Sequence, residues 1–471
     1  MNEASSSRSR IKHFFSLIGD ALRGKEHDYT QGSLKQAALL LAVPMVLEMG
    51  MESIFAVVDI FFVAKLGADA VAVVGITEAV ITLIYAVAIG FSMAVTAVIA
   101  RRIGEKNTEL AALTAAQVLI LGLLLWAVVA FIGFNFSADI LSLMGASESV
   151  IQQGKSYTSI MLGGSLTIIY LFIIAAIFRG AGNATIAMHA LWLANGINIV
   201  LDPCLIYGWG PFPELGVTGA AVATNIGRGI GALYMLYHLF GGKHRIQLAF
   251  SQLRFSAHEA WGLIKVSFGG IMQFFIATAS WVFLMRIVAQ FGSEAVAGYT
   301  IAIRVAMFTF LPAWGLSNAT ATLVGQSLGA ANPERAEAAV WLTAKYNVAF
   351  MATVGIVLLA FAPAIVMFFN TEPEVVRIGT LTLRIIALGY AGFALGMVLT
   401  QAFNGAGDTN TPTWINFICF WLIQIPFAWC AANIFALQTM GVALSVSFAE
   451  TLIAVIAFWW FRKGTWKSKQ V

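Results

Sequence analysis

The sequence predicts an all-α polytopic membrane protein with 12 transmembrane helices. These helices are expected to form two six-helix bundles related by a pseudo-twofold axis along the membrane normal. Three observations lead to this prediction. The chain is far more apolar than a soluble protein, its apolar residues fall into twelve long runs, and its two halves match each other at one constant offset.

The composition argues against most classes of soluble protein. Apolar side chains make up 59% of the 471 residues and charged side chains 11%, against about 45–50% and about 25% in ordinary soluble proteins. A spanning helix needs roughly 20 apolar residues, so the chain has enough for about a dozen. A soluble enzyme, a nucleic-acid-binding protein and a disordered scaffold are therefore disfavoured. The three cysteines lie in apolar stretches, without the spacing of a disulfide framework or a metal site.

Long apolar runs between short polar or glycine-rich breaks predict the individual helices. In the first half they cover 36–64, 70–100, 110–135, 147–178, 185–207 and 218–241. In the second half they cover 259–290, 295–325, 338–362, 375–403, 412–435 and 439–462. The predicted parts are therefore an amino-terminal segment (1–33), a first lobe (34–241), an inter-lobe loop (242–258), a second lobe (259–462) and a tail (463–471).

The distribution of basic residues predicts the orientation in the membrane. The loops of one side contain only Lys65, Lys155 and Arg377. The other side holds both chain ends and most loop cations, which are Arg101, Arg102, Lys106, Arg179, Lys243, Arg245, Arg254 and Arg335. The positive-inside rule assigns this second side to the cytosol. Both termini are thus expected in the cytosol, with the protein in the plasma (inner) membrane.

The amino-terminal segment 1–33 mixes basic residues with apolar residues at helical spacing. The apolar residues are Ile11, Phe14, Phe15, Ile18 and Leu22. This pattern predicts a helix that lies flat on an anionic membrane surface. A disordered basic tail is the alternative. No apolar core with a cleavage site follows the first charges, so the segment does not read as a secretory signal.

An internal repeat supports the two-bundle architecture. A shift of 225 residues aligns Gly67 with Gly292, Gly104 with Gly329 and Asn107 with Asn332 without gaps, and it aligns residues 178–182 with 403–407. Each half contains six spans, an even number, so both halves enter the membrane from the same side. They must then be related by an axis along the membrane normal, as in the parallel repeats of transporters. Two such bundles leave a cleft between them.

Predicted helix 1 carries three acids in an apolar run, namely Glu48, Glu52 and Asp59. At about 100° per residue, all three fall on one face of the helix. An ionisable group in a bilayer costs a few kcal/mol or more, so this face is expected to line the interior of the first bundle as cavity acids.

Predicted helices 5 and 6 contribute a second polar group. Asn198 and Asp202 share one face of helix 5, and Thr224 lies about two turns into helix 6. With Asp59 they are expected to meet in the outer half of the first bundle. Carboxylate, amide and hydroxyl oxygens suit Na⁺, a hard cation. The two acids could instead share a proton, or the group could be a structural polar network.

Several other residues are candidates for lesser roles. Pro44 and Pro203 are expected hinges, with Pro203 disturbing helix 5. In the second bundle the charges at depth are basic, namely Arg286, Arg304 and Arg384, and Gln273 is the counterpart of Glu48 under the 225 shift. These arginines are expected to extend to an interface or neutralise acids across the cleft. Alternatively, Arg286, Arg304 and Gln273 contact an anionic group on a solute.

With twelve predicted spans in two repeated halves, the chain resembles the multidrug and toxic compound extrusion (MATE) transporters. The resemblance rests on Pro44 and Asp59 in helix 1, on the glycine loops Phe-Arg-Gly-Ala-Gly-Asn (178–183) and Phe-Asn-Gly-Ala-Gly-Asp-Thr (403–409), and on residues 323–330. It implies export of organic solutes in exchange for Na⁺ or H⁺ by rocker-switch alternation of two lobes. In one prokaryotic branch the first lobe handles the cation. The matching positions are Asp59, Asn198 and Asp202, with Thr224 a looser match.

The chain departs from the family pattern in two ways. Other branches carry carboxylates within helices 7 and 10, which are missing here, and Glu48 and Glu52 match no family motif. The leading hypothesis is a cation-coupled exporter of a small organic solute. It is expected to act as a monomer and without a cofactor. Its expected partners are Na⁺ or H⁺ and membrane lipid, and no nucleic acid. The alternative is a flippase for a lipid-linked glycan or other anionic lipid. An enzyme is not expected, because Asp408 in the second glycine loop lacks a partner aspartate at its depth.

Overall fold

The computed structural model describes residues 16–24, 27–242 and 244–469. The side chains of residues 56, 57, 59, 60, 64 and 68 also lie outside the described part. Within this part, every element of regular secondary structure is a helix. The helices are long and connected by short turns, as expected when every backbone polar group must find its partner within the bilayer.

Twelve long helical segments follow one another along the chain, close to the predicted positions. The first six are α1 (Leu34–Ala64), α2 (Ala68–Gly104), α3 (Thr108–Leu143), α4 (Glu148–Ala181), α5 (Ala184–Tyr207) and α6 (Val217–Gly241). The second six are α7 (Ala257–Ala289), α8 (Ser293–Gly329), α9 (Pro333–Phe369), α10 (Pro373–Leu388 and Tyr390–Gly405), α11 (Asn410–Ile434) and α12 (Gln438–Arg462). Ten of them are long and apolar enough to cross a membrane, and the bent pair in α10 makes eleven. The remaining segment, α6, is long enough but less apolar than these eleven, and it contains the charged residue Arg228. The predicted helical architecture is confirmed.

Both lobes contain a helix that is broken at the same repeat position. A turn at Gly164 and Ser165 interrupts α4, and α10 bends by 53° at Gly389. The 225 shift carries Gly164 onto Gly389, so each break belongs to the repeat. A Cβ on Gly164 would lie 2.3 Å from the side chain of Asn225 on α6. The break therefore lets the fourth helix of the lobe approach the sixth.

The prolines of α1 and α5 do not interrupt their helices. α1 runs through Pro44, and α5 continues through Pro203 to Tyr207. The expectation that Pro203 acts as a hinge stays a prediction, since α5 remains helical on both sides of it. The end of α5 is held by the loop that follows, because Leu215 N–H donates to Leu205 O at 2.9 Å and Gly216 N–H donates to Ile206 O at 3.2 Å.

Backbone geometry repeats between the lobes as closely as the sequence does. Positive φ occurs at Gly67 and Gly292 (104° and 99°) and again at Gly182 and Gly407 (90° and 82°). The left-handed region favours glycine, which explains why glycine stands at both copies of each turn. The paired asparagines Asn107 and Asn332 both cap a helix, accepting from the backbone N–H three residues later.

The lobes α1–α6 and α7–α12 meet through symmetric close approaches. A Cβ on Gly90 would lie 2.6 Å from the carbonyl carbon of Gly270, and one on Gly315 would lie 2.8 Å from the carbonyl carbon of Met45. The same close approach occurs nearer the helix ends. A Cβ on either of the paired glycines Gly104 and Gly329 would lie 2.2 Å from a backbone oxygen of the other lobe. Residues 45 and 270, and residues 101 and 326, are themselves repeat partners. The contacts therefore obey a pseudo-twofold axis.

These inter-lobe contacts lie toward the membrane face at which α1 begins and α12 ends, here named the terminal face. Thr322 Oγ1 donates to Arg179 O at 3.0 Å, and Gln326 Nε2 donates to Gly180 O at 2.9 Å. Both contacts join α8 to the last turn of α4. The lobes are thus closed against each other at the terminal face.

The amino-terminal segment docks on both lobes at this face. Residues 16–23 form a helix, and Thr185 Oγ1 at the start of α5 donates to Ala21 O at 2.6 Å. Tyr29 is buried, and Arg335 of α9 donates to the carbonyls of Tyr29, Gln31 and Gly32. Ile11, Phe14 and Phe15 of the predicted surface helix lie outside the described residues. The carboxyl-terminal tail is also docked, because Trp466 is buried and stacks on Phe461.

Candidate functional site

Asn198, Asp202 and Thr224 form a buried polar network between α5 and α6. Their exposed fractions are 2%, 0% and 6%. Asn198 Nδ2 donates to Asp202 Oδ2 at 2.8 Å, and its Oδ1 accepts from Thr224 Oγ1 at 3.0 Å and from Thr224 N–H at 2.9 Å. The amide thus joins the carboxylate to the hydroxyl, and all three sequence-predicted residues lie together.

Glycines on α6 bring these two helices close enough for the network to form. A Cβ on Gly219 would lie 2.2 Å from Leu205 O, and one on Gly227 would lie 2.5 Å from Ala194 O. Small residues at such spacing let helix backbones approach closely in a membrane. The side chains of Asn198 and Thr224 can then reach each other directly. The network lies about 8–14 Å from the helix ends opposite the terminal face, at 1.5 Å per residue.

Asp59 occupies a matching level on α1, although its side chain lies outside the described residues. α1 and α5 run side by side in register, because Asn195 Nδ2 donates to Glu52 Oε2 at 3.2 Å and Tyr207 OH donates to Phe62 O at 2.5 Å. Position 59 lies between these two contacts, so its backbone is at the level of Asp202. Whether its carboxylate joins the network stays a prediction.

The second lobe has no equivalent network. The repeat counterparts of Asp59, Asn198, Asp202 and Thr224 are Leu284, Ile423, Phe427 and Ala449. Leu284 and Ala449 are buried among apolar residues. The polar network is therefore a property of the first lobe alone, and the repeat by itself does not require it.

Glu48 forms an ion pair that the sequence did not predict. Its Oε1 accepts from Arg179 Nη1 at 2.7 Å, and the two side chains are only 6% and 11% exposed. Arg179, one of the cations used to predict the orientation, lies in the last turn of α4 and pairs inward with Glu48 instead of extending into a loop. α1 brings Glu48 and Glu52 onto one face, as predicted, and that face lines a cavity.

The second lobe places a neutral pair at the same position. Gln273 and Asn404 are the repeat counterparts of Glu48 and Arg179. Gln273 Nε2 donates to Asn404 Oδ1 at 3.0 Å and to Thr409 O at 3.0 Å, and both side chains are buried. The same contact between the first and fourth helices of a lobe is therefore ionic in one lobe and amide-to-amide in the other.

Cavities lie between the lobes beyond the closed terminal face. The first-lobe cavity has a volume of about 170 Å³ and is lined by Glu48, Glu52, Tyr85 and Arg179 among others. The second-lobe cavity is larger, about 350 Å³, with Gln273, Trp281, Asn404 and Glu450 in its lining. A smaller cavity of about 50 Å³ shares residues with both, and Trp314 lines all three. The cavities thus form a chain of spaces across the interface.

The arginines of the second lobe do not line these cavities. Arg286, Arg304 and Arg384 are exposed on the structure, and Arg384 Nε donates to Leu359 O at 3.1 Å. Long arginine side chains were expected to extend to an interface or to contact a solute, and the linings of the two larger cavities contain none of the three. Gln273, in contrast, is buried and lines the second-lobe cavity.

One charged residue of the second-lobe cavity, Glu450, was not singled out from the sequence. Glu450 lies in the middle of α12, in an apolar run that was read only as a span. Arg228 of α6 donates to Tyr85 OH, a residue of the first-lobe cavity lining, at 2.7 Å. Comparison of each charged residue with its repeat counterpart would have singled out Glu450, because its counterpart under the 225 shift is the neutral residue Asn225. No group of three or more His, Cys, Asp or Glu able to hold a metal was found among the described residues.

The fold and the cavities together define a class of protein, the multi-pass membrane transporters built from two repeat-related lobes. The family model described as MatE matches the chain twice, over residues 44–204 and 270–430. The chain therefore belongs to the MATE family of multidrug efflux transporters.

Individual relatives agree with this assignment. The chain is 27% identical over 440 residues to the probable multidrug resistance protein NorM of Thermotoga maritima, covering 93% of this chain and 94% of the relative. It is also 27% identical over 396 residues to an FAD transporter of Shewanella oneidensis, covering 83% and 87%. The solved outward-facing conformation of a multidrug resistance MATE transporter superposes with a TM-score of 0.88 and 26% identity, over 94% of this chain and 98% of that one.

Proposed function

We propose that this protein is a secondary active antiporter that exports organic solutes in exchange for Na⁺ or H⁺ by rocker-switch alternating access. It acts in the plasma membrane, with the terminal face toward the cytosol, as the positive-inside rule predicts. The relatives named as multidrug resistance proteins support an organic solute. On this orientation, closure at the terminal face makes the described state outward-facing.

The observation that carries the proposal is the buried network of Asn198, Asp202 and Thr224. An acid with no exposed surface in a membrane bundle is costly unless it binds something or is protonated. The carboxylate, amide and hydroxyl oxygens of the network suit Na⁺. The carboxylate suits H⁺ equally well. The absence of this network from the second lobe supports a proposed coupling site in the first lobe, with Asp59 proposed as the second carboxylate at the same level.

Coupling requires that the ion favours one state of the lobes over the other. An ion that bound both states equally would drive no transport, however tightly it bound. We infer that the ion, entering from outside, binds at Asp59 and Asp202 and thereby lowers the affinity of the protein for the solute. The solute then leaves to the outside. Return to the inward-facing state must break the hydrogen bonds that Thr322 and Gln326 make to the last turn of α4. Pro44 and Pro203 are proposed to flex during this change.

The test is export by the Asp202→Asn variant in proteoliposomes with sodium and proton gradients imposed separately. We expect at least about a hundredfold loss of gradient-driven export, because the variant keeps the volume of the side chain but removes its charge. Asp139→Asn is the matched control, since Asp139 is an exposed acid of the same lobe. Wild-type rates in Asp202→Asn under both gradients would rule the network out as the coupling site.

The flippase alternative gains no support from the cavities. A phosphate-bearing lipid headgroup would need a basic cleft, yet Arg286 and Arg304 are exposed outside the cavity linings. The lining base Arg179 already pairs with Glu48. The remaining lining charges, Glu52 and Glu450, are acidic and would repel a phosphate.

A further inference from the structure

Both ends of the chain pack on the terminal face, and each covers the glycine turn of one lobe. These turns are the α4–α5 and α10–α11 connections, which the 225 shift aligns. A Cβ on Gly24 of the amino-terminal segment would lie 3.4 Å from Asn183 Oδ1 in the first turn. Lys469 Nζ of the carboxyl-terminal tail lies 3.4 Å from Asp408 Oδ1 in the second. Asn183 and Asp408 are repeat partners, so the two chain ends occupy positions related by the pseudo-twofold axis.

Each chain end is anchored on the lobe to which it is covalently joined. The amino-terminal segment leads into α1, and Thr185 Oγ1 at the start of α5 donates to Ala21 O at 2.6 Å. Tyr29 packs against the first glycine turn, since a Cβ on Gly182 would lie 2.7 Å from its ring. The tail follows α12 and is held on the second lobe by the buried side chain of Trp466. Each end is therefore expected to move with its own lobe.

Each chain end also reaches across to the opposite lobe. Arg335 at the start of α9 donates to three backbone carbonyls of the amino-terminal segment, at 2.9, 3.0 and 3.0 Å. In the reverse direction, Arg101 of the first lobe donates from Nη2 to Lys469 O of the tail at 3.2 Å. Tyr29 also belongs to an apolar cluster that includes Leu323 on α8. Both chain ends thus bridge the lobes at the terminal face.

The cross-lobe hydrogen bonds are of a kind that can be broken and remade. Gln31, Gly32 and Lys469, which supply carbonyls to them, are exposed. Water can take the place of a hydrogen-bond partner at such a surface, so the loss of one of these bonds costs less than the loss of a buried one. Separation of the lobes at the terminal face would carry Arg335 away from the amino-terminal segment and Arg101 away from the tail.

We propose that the two chain ends are a pair of straps that hold the lobes closed at the terminal face and are released each time this face opens. The amino-terminal segment leaves Arg335 and stays on the first lobe, and the tail leaves Arg101 and stays on the second. Contacts made in only one of two states shift the equilibrium toward that state. The straps thereby favour the outward-facing state. This inference rests on the proposed alternation of the lobes.

The test measures the distance between the lobes at the terminal face in the full-length protein in lipid nanodiscs. Nitroxide labels are attached at Glu109→Cys and Ala338→Cys, two exposed positions near the terminal-face ends of α3 and α9. The three native cysteines are replaced by alanine. Double electron–electron resonance then gives the ratio of long to short distances, which is the ratio of open to closed terminal faces.

Arg335→Gln should raise this ratio at least about tenfold, because it removes hydrogen bonds of a charged group that are made only in the closed state. Arg101→Gln removes one such bond at an exposed carbonyl and should raise the ratio about threefold. Arg377→Gln is the matched control. Its exposed ion pair with Glu374 lies within the second lobe, so the ratio should stay at the wild-type value.

An unchanged ratio in Arg335→Gln would overturn the inference for the amino-terminal segment, and an unchanged ratio in Arg101→Gln would overturn it for the tail. Should Arg335→Gln fail to fold, Arg335→Lys takes its place, because it keeps the charge but loses the fork of donors. It should raise the ratio about threefold, and a wild-type ratio would count against the strap.

The same measurement separates failure of the straps from failure of the proposed function. If Na⁺ or H⁺ shifts the distances in the wild type while the variants match the wild type, the lobes alternate and the straps are refuted. One single distance in every sample and under every ionic condition would refute alternation, and the straps with it. The coupling site is tested independently, by export through the Asp202→Asn variant.

Discussion

The ion pair between Glu48 and Arg179 makes a quantitative prediction, because the second lobe contains its neutral equivalent. The perturbations are Glu48→Gln, Arg179→Asn and the double variant, which installs in the first lobe the pair that Gln273 and Asn404 form in the second. Each single variant leaves one buried partner without its counter-charge. The double variant replaces both members by groups that already fit this contact elsewhere in the chain.

The structure sets the expected magnitude. The oxygen–nitrogen distance is 2.7 Å and both side chains are close to fully buried. Removal of one partner from such a pair costs about 3–5 kcal/mol, because it leaves an uncompensated charge. For a unit of 150–250 residues this corresponds to a fall in melting temperature of at least about 6 °C. Replacement of a buried pair by a well-packed neutral one is often close to neutral, so the double variant should recover most of the loss.

The assay is thermal unfolding of the four proteins in one detergent, analysed as a double-mutant cycle. The coupling energy should be favourable and of the same order as the single losses. Two results would refute the reasoning. One is a shift below about 1 °C in both single variants, and the other is a double variant that melts as low as the sum of the singles predicts.

Two further predictions concern the terminal face. Gly104→Ala should reduce export about fivefold or more, because its Cβ would meet Gln326 O at 2.2 Å and overpacking of about 1–3 kcal/mol opposes closure of the lobes. Gly262→Ala, which has no neighbour within 4 Å, should export normally in the same proteoliposomes. Arg335→Gln should make the amino-terminal segment several times more sensitive to trypsin, since hydrogen bonds from a charged group contribute about 1.5–3 kcal/mol each. Arg377→Gln, at an exposed ion pair, should not.

These two predictions have clear contrary outcomes. Export by Gly104→Ala at the wild-type rate would mean that the lobes do not approach there during the cycle. Identical digestion of the wild type and the Arg335→Gln variant would mean that the three carbonyl contacts of Arg335 do not hold the segment in place.

Much of the candidate site could be located from the sequence because membrane helices are nearly straight and parallel. Depth along a helix follows from residue number, so Asn198, Asp202 and Thr224 could be placed at one level before any contact was known. The periodicity argument also placed Glu48 and Glu52 correctly on one face. Contacts between distant segments were harder, and Arg179 was counted as a loop charge because only its position near a glycine turn was visible.

The repeat was visible in the sequence, but the positions at which the two lobes differ could be interpreted only from the contacts in the structure. Gly164 and Gly389 are aligned by the 225 shift, yet the broken helices at these positions depend on how closely α6 and α12 approach. Glu450 lies in an apolar run like any other. Its surroundings depend on which side chains from α7, α8, α10 and α11 pack around it, and no local pattern in the sequence records that arrangement.

The amino-acid sequence alone determined the number of helices, their order, the duplication of the lobe and the residues with an unusual charge. These properties follow from local hydrophobicity and from spacing along a regular helix. Only the tertiary structure decided which charges meet, which cavity each faces and where the lobes touch. Those outcomes depend on packing between helices far apart in the chain, where a single glycine or arginine selects among several alternatives that the sequence leaves equally open.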